Sequence, residues 1–150
     1  MHRAAWGVAA LLAALLCADS QAPALAQACA KGDFESVVNE AGAALRDLNR
    51  QNTPTFQAKL RELKDKRGWS NDQFLKEAEP FVRDNEIVAH DQKSEQLLIR
   101  ITGAGQQGAT DSGPDCGLLA ELRAALKSLV ETQKAKWTYM FAKIEKELAK

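Results

Sequence analysis

The chain has three cysteines, Cys17, Cys29 and Cys116, and their positions restrict the chemistry open to them. Cys17 lies within an N-terminal segment that has the pattern of an export signal, so cleavage leaves only Cys29 and Cys116. Two thiols in an oxidising compartment are expected to form a disulfide. A redox-active or metal-binding pair and two separate thiols are the alternatives, and the absence of a Cys-x-x-Cys spacing disfavours the first of them.

The N-terminal segment begins with the basic Arg3 and continues as an apolar run. This run is about 15 residues long, which is shorter than the roughly 20 residues that span a bilayer. Ala24 and Ala26 fit the small positions of a signal peptidase site, which would make Gln27 the first residue of the mature chain; cleavage after Ala28 also fits. A retained membrane anchor and lipidation of a cysteine are the alternatives.

We therefore expect residues 1–26 to be a cleaved signal peptide and residues 27–150 to form a single helical domain that is periplasmic or secreted. The chain carries 20 basic and 20 acidic residues and is formally neutral. A balanced charge differs from the basic surface of a nucleic-acid-binding protein, so we expect no nucleic-acid partner.

His90 is the one histidine that remains after the expected cleavage. Glu86, His90 and Ser94 are spaced four residues apart, on one helical face, with Asp91 adjacent to the imidazole. A carboxylate beside an imidazole suits acid–base catalysis or metal ligation, whereas the alternative is an exposed face with an i,i+4 pair. We expect the exposed face, and no metal or cofactor.

The sequence from Gly103 to Gly108 matches the G-x-G-x-x-G pattern of dinucleotide-binding proteins. That pattern requires a helix that begins at the third glycine. The residues that follow, Asp111-Ser112-Gly113-Pro114, do not favour a helix. Because five glycines and a proline lie between Gly103 and Gly117, we predict that this segment is a long loop.

Apolar residues recur at helical spacing in most of the mature chain, which predicts an all-α fold. The first helix is predicted to start at Asp33 as N-cap and to end near Gln51. The second is predicted to start at Thr53, with Pro54 in its first position, and to end at Gly68.

The third helix is predicted to begin with a capping box of Ser70 and Gln73, beside a staple of Trp69 and Phe74. Pro80 is expected to kink or restart the helix, because proline removes a helical hydrogen bond. A fourth helix is then predicted from Pro80 to Thr102.

The last helix is the most regular, with an apolar stripe from Leu118 to Leu148. At 1.5 Å per residue it would span roughly 46 Å, longer than the diameter of about 35 Å of a compact chain of this size. The fold is therefore expected to be an elongated bundle of four to five helices with one disulfide. The candidate partner-binding face of this helix consists of Trp137, Met140, Phe141, Ile144 and Leu148.

A disulfide between Cys29 and Cys116 would place the starts of the first and last helices at the same end of the bundle. A simple up-down-up-down bundle of four helices places them at opposite ends. Either the chain breaks into five segments at Pro80, or the glycine loop runs back along the bundle.

The leading functional hypothesis is an exported, non-enzymatic protein that binds a protein or peptide through its C-terminal helix. The alternative is a small-molecule or enzymatic site between helices near Glu86 and His90. A homodimer through the apolar stripe is a further alternative. Contact with an anionic membrane surface has weaker support, from a basic second helix that carries Lys59, Arg61, Lys64, Lys66 and Arg67.

Overall fold

The computed structural model describes residues 29–113 and 115–150, and the expected signal peptide, residues 1–26, lies outside them. The described part is helical and contains no β-strand, which confirms the all-α prediction. Its helices are α1 (Lys31–Arg67), α2 (Asn71–Glu77), α3 (Glu79–Val82), α4 (Asn85–Thr110) and α5 (Cys116–Leu148).

The long helices α1, α4 and α5 pack against one another along their lengths. The predicted disulfide joins Cys29 to Cys116, with an S–S bond of 2.08 Å and a Cα–Cα distance of 5.5 Å. The ends of α1 and α5 also meet, because Arg67 Nη2 lies 3.1 Å from Glu147 Oε2. Helices α1 and α5 are therefore parallel, and α4 runs back between their two ends. With 37 residues, α1 is about 55 Å long, so the bundle is elongated as expected.

The prediction of two helices separated near Thr53 is wrong, because α1 continues through Pro54. A proline inside a helix removes one hydrogen bond and crowds the preceding turn. Phe34 and Val37 before the proline, and Phe56 after it, are nevertheless all buried in the bundle. Their burial holds α1 as one helix, and three long helices place the starts of α1 and α5 at the same end.

The predicted loop from Gly103 to Gly117 is also wrong over its first half, because α4 continues to Thr110. Gly105 and Gly108 are buried where α4 contacts α1. A β-carbon built on Gly105 would lie 2.3 Å from Val38 Cγ2. These glycines permit a close approach of two helices, so the G-x-G-x-x-G pattern lies inside a helix and does not open one.

The predicted capping box at the start of α2 is confirmed. The N–H of Gln73 donates to Ser70 Oγ at 3.2 Å, and the N–H of Ser70 donates to Gln73 Oε1 at 2.8 Å. The break at Pro80 is also confirmed, since α2 ends before it and α3 has only four residues. The fourth helix begins later than predicted, at Asn85, because Asp84 accepts a hydrogen bond from the N–H of Ile87 at 2.9 Å and caps it.

The buried apolar residues form two clusters at opposite ends of the bundle. The proximal cluster, nearest the disulfide, consists of Phe34, Val37, Ala41, Ile101, Leu119, Leu122, Ala125 and Leu129. The distal cluster consists of Phe56, Leu60, Leu63, Ala78, Phe81, Ile87, Met140 and Ile144. On each long helix, polar residues lie in the sequence between the residues of the proximal cluster and those of the distal cluster. We call these residues the polar layer: Asn52 of α1, Ser94 of α4, and Thr132 and Gln133 of α5.

Candidate functional site

A cleft of about 350 Å³ opens at the distal end of the bundle, where the chain turns from α1 through α2 and α3. Apolar residues from three parts of the chain and four charged residues surround it. We call it the distal cleft, and it is lined by Leu63, Arg67, Trp69, Glu77, Pro80, Phe81, Lys143 and Glu147.

Lys143 is held in one wall of the cleft by Asp84 and by the backbone of α3. Its ammonium forms an ion pair with Asp84 and donates a hydrogen bond to the carbonyl oxygen of Pro80 at 2.5 Å. The hydroxyl of Tyr139 donates to the same carboxylate at 2.8 Å. This network fixes α3 and the start of α4 against α5.

The contacts of Asp84 shift the pKa of its own carboxyl group and that of the Tyr139 hydroxyl group. The backbone N–H of Ile87 and the side chain of Lys143 stabilise the carboxylate and lower the pKa of Asp84 from 3.8 to about 2. The pKa of Tyr139 is raised above its ordinary value, because its hydroxyl donates to Asp84. Asp84 is therefore ionised and Tyr139 protonated at neutral pH.

The ion pair of Arg67 with Glu147 also lines the cleft. Lys150 donates a hydrogen bond to Glu147 at 2.6 Å and is the main cause of the lowered pKa of that carboxyl group. Lys66 Nζ donates to the carbonyl oxygen of Leu148 at 2.5 Å. These contacts attach the end of α5 to the end of α1.

The outer face of α2 and α3 carries apolar side chains in solvent. Leu75 is 74% exposed and Val82 is 45% exposed. Asp72 and Glu79 are exposed acidic residues of the same segment, and neither makes an ion pair within the residues that the structure describes. We call Asp72, Leu75, Glu79 and Val82 the acidic–apolar ridge.

The predicted partner-binding face on the C-terminal helix lies largely against α1. Met140 and Ile144 are buried in the distal cluster, and Trp137, Phe141 and Leu148 are half-buried against it. The ring of Phe56 packs edge-on against Trp137 and Phe141, with distances between ring centroids of 5.9 Å and 5.5 Å. In this conformation most of the stripe therefore serves the chain's own core.

The residues around His90 are only partly brought together. His90 Nε2 lies 3.5 Å from Glu86 Oε1. Ser94 is buried and accepts a hydrogen bond from Gln133 at 2.7 Å, while Asp91 pairs with Lys136.

A groove of about 250 Å³ lies beside His90, between α4 and α5. Its other lining residues include Lys93, Glu131 and Thr132. Within residues 29–113 and 115–150, no three His, Cys, Asp or Glu side chains are grouped so that they could hold a metal ion.

The basic residues near the end of α1 mostly contact other parts of the chain. Lys59 pairs with Glu145 at 3.2 Å, and Lys64 donates to Asn71 Oδ1 at 2.6 Å. Together with the contacts of Lys66 and Arg67, these interactions tie the end of α1 to α2 and α5. Basic side chains engaged in this way are less available to an anionic membrane surface.

Sequence reasoning missed the network of Asp84, Tyr139 and Lys143. Asp84 is an N-cap residue in front of a helix, and Tyr139 and Lys143 are four residues apart on one face of α5. Those two local signals are visible in the sequence. Their meeting depends on the packing of α4 on α5, which the sequence alone does not specify.

The geometry defines a disulfide-linked bundle of three long helices with a cleft at one end. No known protein family, no curated protein and no solved structure matches this chain. Among the described helices, none combines the length and the apolar character needed to cross a bilayer.

Proposed function

We propose that this chain is an exported, non-enzymatic helical protein that binds a protein or peptide partner at the distal end of its bundle. The observation that carries the proposal is the exposure of Leu75 on α2, at the end of the bundle where the cleft that contains Trp69 and Phe81 opens. Exposed apolar side chains and a cleft at the same end of a bundle offer a peptide helix apolar contacts.

The partner segment that fits this surface best is amphipathic and basic. Leu75 and Val82 would contact its apolar residues, and burial of each aliphatic side chain contributes up to about 1.5–3 kcal/mol. Asp72 and Glu79 lie before and after Leu75 in the chain, and Glu77 lines the cleft. Lysine or arginine residues on the partner would complement these carboxylates.

The C-terminal helix contributes to the proposed site through its last turns. Lys143 and Glu147 line the distal cleft, while Met140 and Ile144 stabilise the floor beneath it from within the core. The C-terminal helix therefore keeps a binding role in the proposal. The residues of this helix that would contact the partner are the polar Lys143 and Glu147.

A binding role without catalysis is supported by how the charged groups of the cleft are used. Arg67 pairs with Glu147, and Lys143 contacts Asp84 and the backbone of Pro80. Groups held in structural contacts of this kind position the walls of the cleft. Their arrangement favours recognition of a partner over proton transfer to a substrate.

Export to the periplasm or the cell exterior is supported by the disulfide. Such bonds persist in oxidising compartments and are rare in the cytosol. The bond between Cys29 and Cys116 joins residues 87 positions apart, which is the arrangement expected of a structural bridge.

The test uses a synthetic amphipathic helical peptide of leucine and lysine, labelled with a fluorophore, and a scrambled peptide of the same composition. Fluorescence anisotropy with the mature, oxidised protein should show saturable binding of the amphipathic peptide only. Leu75→Ser should weaken binding at least tenfold, because it removes the central apolar contact of the ridge.

Ile99→Ser is the matched control, because Ile99 is 66% exposed on α4, away from the ridge. It should leave the affinity unchanged. Equal binding of the two peptides, equal losses in the two variants or no binding at all would each count against the proposal.

A further inference from the structure

The polar layer lies between two separate clusters of buried apolar residues. Ser94 and Thr132 are each 4% exposed, and no buried apolar residue of the described chain belongs to both clusters. Gln133 donates to Ser94, and Thr132 Oγ1 donates to the carbonyl oxygen of Ser128 at 2.7 Å. These hydrogen bonds satisfy the buried polar groups, but they couple the halves less strongly than continuous apolar packing would.

Helix α1 has its weakest point at the same level. Pro54 lies two residues after Asn52 of the polar layer and two residues before Phe56 of the distal cluster. Because proline has no N–H, the carbonyl group of Arg50 loses its normal helical partner there. A helix bends or opens most readily at such a position.

The two ends of the bundle are held by interactions of different strength. The Cys29–Cys116 bond closes the proximal end covalently. The distal end is held only by noncovalent contacts, which are the ion pairs of Lys59 with Glu145 and of Arg67 with Glu147 and the network around Asp84. Ion pairs at the surface contribute little, so the distal half depends mainly on its own cluster and on this network.

The distal cluster also contains an unsatisfied polar group. The indole Nε1 of Trp137 is buried and has no hydrogen-bond partner among the described residues. A buried donor without an acceptor destabilises the folded state, and opening of the distal half would give it water.

From these observations we infer that the distal half of the bundle opens as a unit about the polar layer and Pro54, while the disulfide-bonded proximal half stays folded. Opening of this kind is a local unfolding equilibrium within the native state. It would uncover Trp137, Met140, Phe141 and Ile144, the stripe that the sequence predicts as a binding face. The inference does not depend on the proposed peptide binding, because it concerns the protein without a ligand.

Native-state hydrogen exchange of the mature, oxidised protein tests the inference. Backbone amides of Leu60, Leu63 and Ile144 should exchange at least tenfold faster than those of Leu122 and Leu129. Pro54→Ala should slow the first set at least tenfold and leave the second set unchanged, because the restored hydrogen bond stabilises only the distal half of α1.

Thr55→Ala is the matched control, since Thr55 is exposed beside the proline, and its higher helix propensity should slow the first set by about threefold at most. One common exchange rate for both halves in the natural sequence would overturn the inference. A Pro54→Ala variant that slows both sets equally, or neither, would overturn it as well.

Discussion

Gly108 of α4 lies directly against the ring of Phe34 at the start of α1. A β-carbon built on Gly108 would lie 2.1 Å from Cδ1 of that ring. Phe34 is completely buried, so its ring has no solvent-exposed position into which it could move. The close approach of α4 to α1 at the proximal end therefore requires glycine at residue 108.

This relationship predicts opposite effects of alanine at two glycines of α4. Gly108→Ala should lower the free energy of unfolding by about 1–2 kcal/mol, because overpacking outweighs the gain of about 1 kcal/mol in helix propensity. Gly103 has open space around it, so Gly103→Ala should raise stability by about 0.5–1 kcal/mol. Urea denaturation followed by circular dichroism measures both changes. A Gly108→Ala variant as stable as Gly103→Ala would show that the helices separate at no cost.

The disulfide predicts a second change in stability. It closes a loop of 87 residues, and in the chain-entropy model such a bond stabilises the folded state by about 4–5 kcal/mol. Replacement of both cysteines by serine should therefore lower the melting temperature by about 15–20 °C. The helical content of the folded state at low temperature should be unchanged, because the apolar packing of α1, α4 and α5 remains. An unaltered melting temperature would show that the bridge adds no stability.

The sequence predicts the local features of the fold well. The apolar spacing, the capping box at Ser70 and the bond between Cys29 and Cys116 each depend on residues whose own chemistry limits the choices. Pro54 and Gly108 lead to wrong predictions of helix ends. Their intrinsic preferences favour breaks in a helix, whereas burial of Phe56 and Phe34 beside them overrides those preferences.

The candidate site is harder to predict because its parts are far apart in the chain. Leu63, Phe81 and Lys143 line one cleft, although they come from three different helices. Their proximity follows from α1 being a single helix, which brings the ends of α1 and α5 together. Without the continuity of α1 through Pro54, no pattern in the sequence places these residues side by side.

Asp84 predicts a specific loss of stability in acid. Its pKa in the folded protein is about 2, below the ordinary value of 3.8. The folded state therefore binds a proton less readily than the unfolded state. The resulting stabilisation, about 2 kcal/mol, is fully present above the ordinary pKa and is lost as the pH falls from about 4 to 2.

Asp84→Asn should remove this contribution. The variant should be less stable than the natural sequence at pH 7 by about 1–2 kcal/mol and should lose less further stability below pH 4. Glu95→Gln is the control, because Glu95 is an exposed carboxylate in the middle of α4. Denaturant unfolding between pH 2 and pH 7 gives the comparison, and parallel pH profiles for Asp84→Asn and the natural sequence would contradict the assignment.

The proposed export predicts which covalent form of the protein is isolated. Expression of the full chain in a bacterium with a periplasm should yield a product that begins at Gln27, because Ala24 and Ala26 fit the small positions required by signal peptidase. Its intact mass should also be lower by two hydrogens than that of the reduced chain, since one disulfide forms. Ala26→Leu should prevent processing, because signal peptidase requires small side chains at the −1 and −3 positions. Residue 26 is the −1 residue for cleavage after Ala26 and the −3 residue for cleavage after Ala28. Retention of Met1 in the natural sequence, or an added lipid mass, would contradict the expected route.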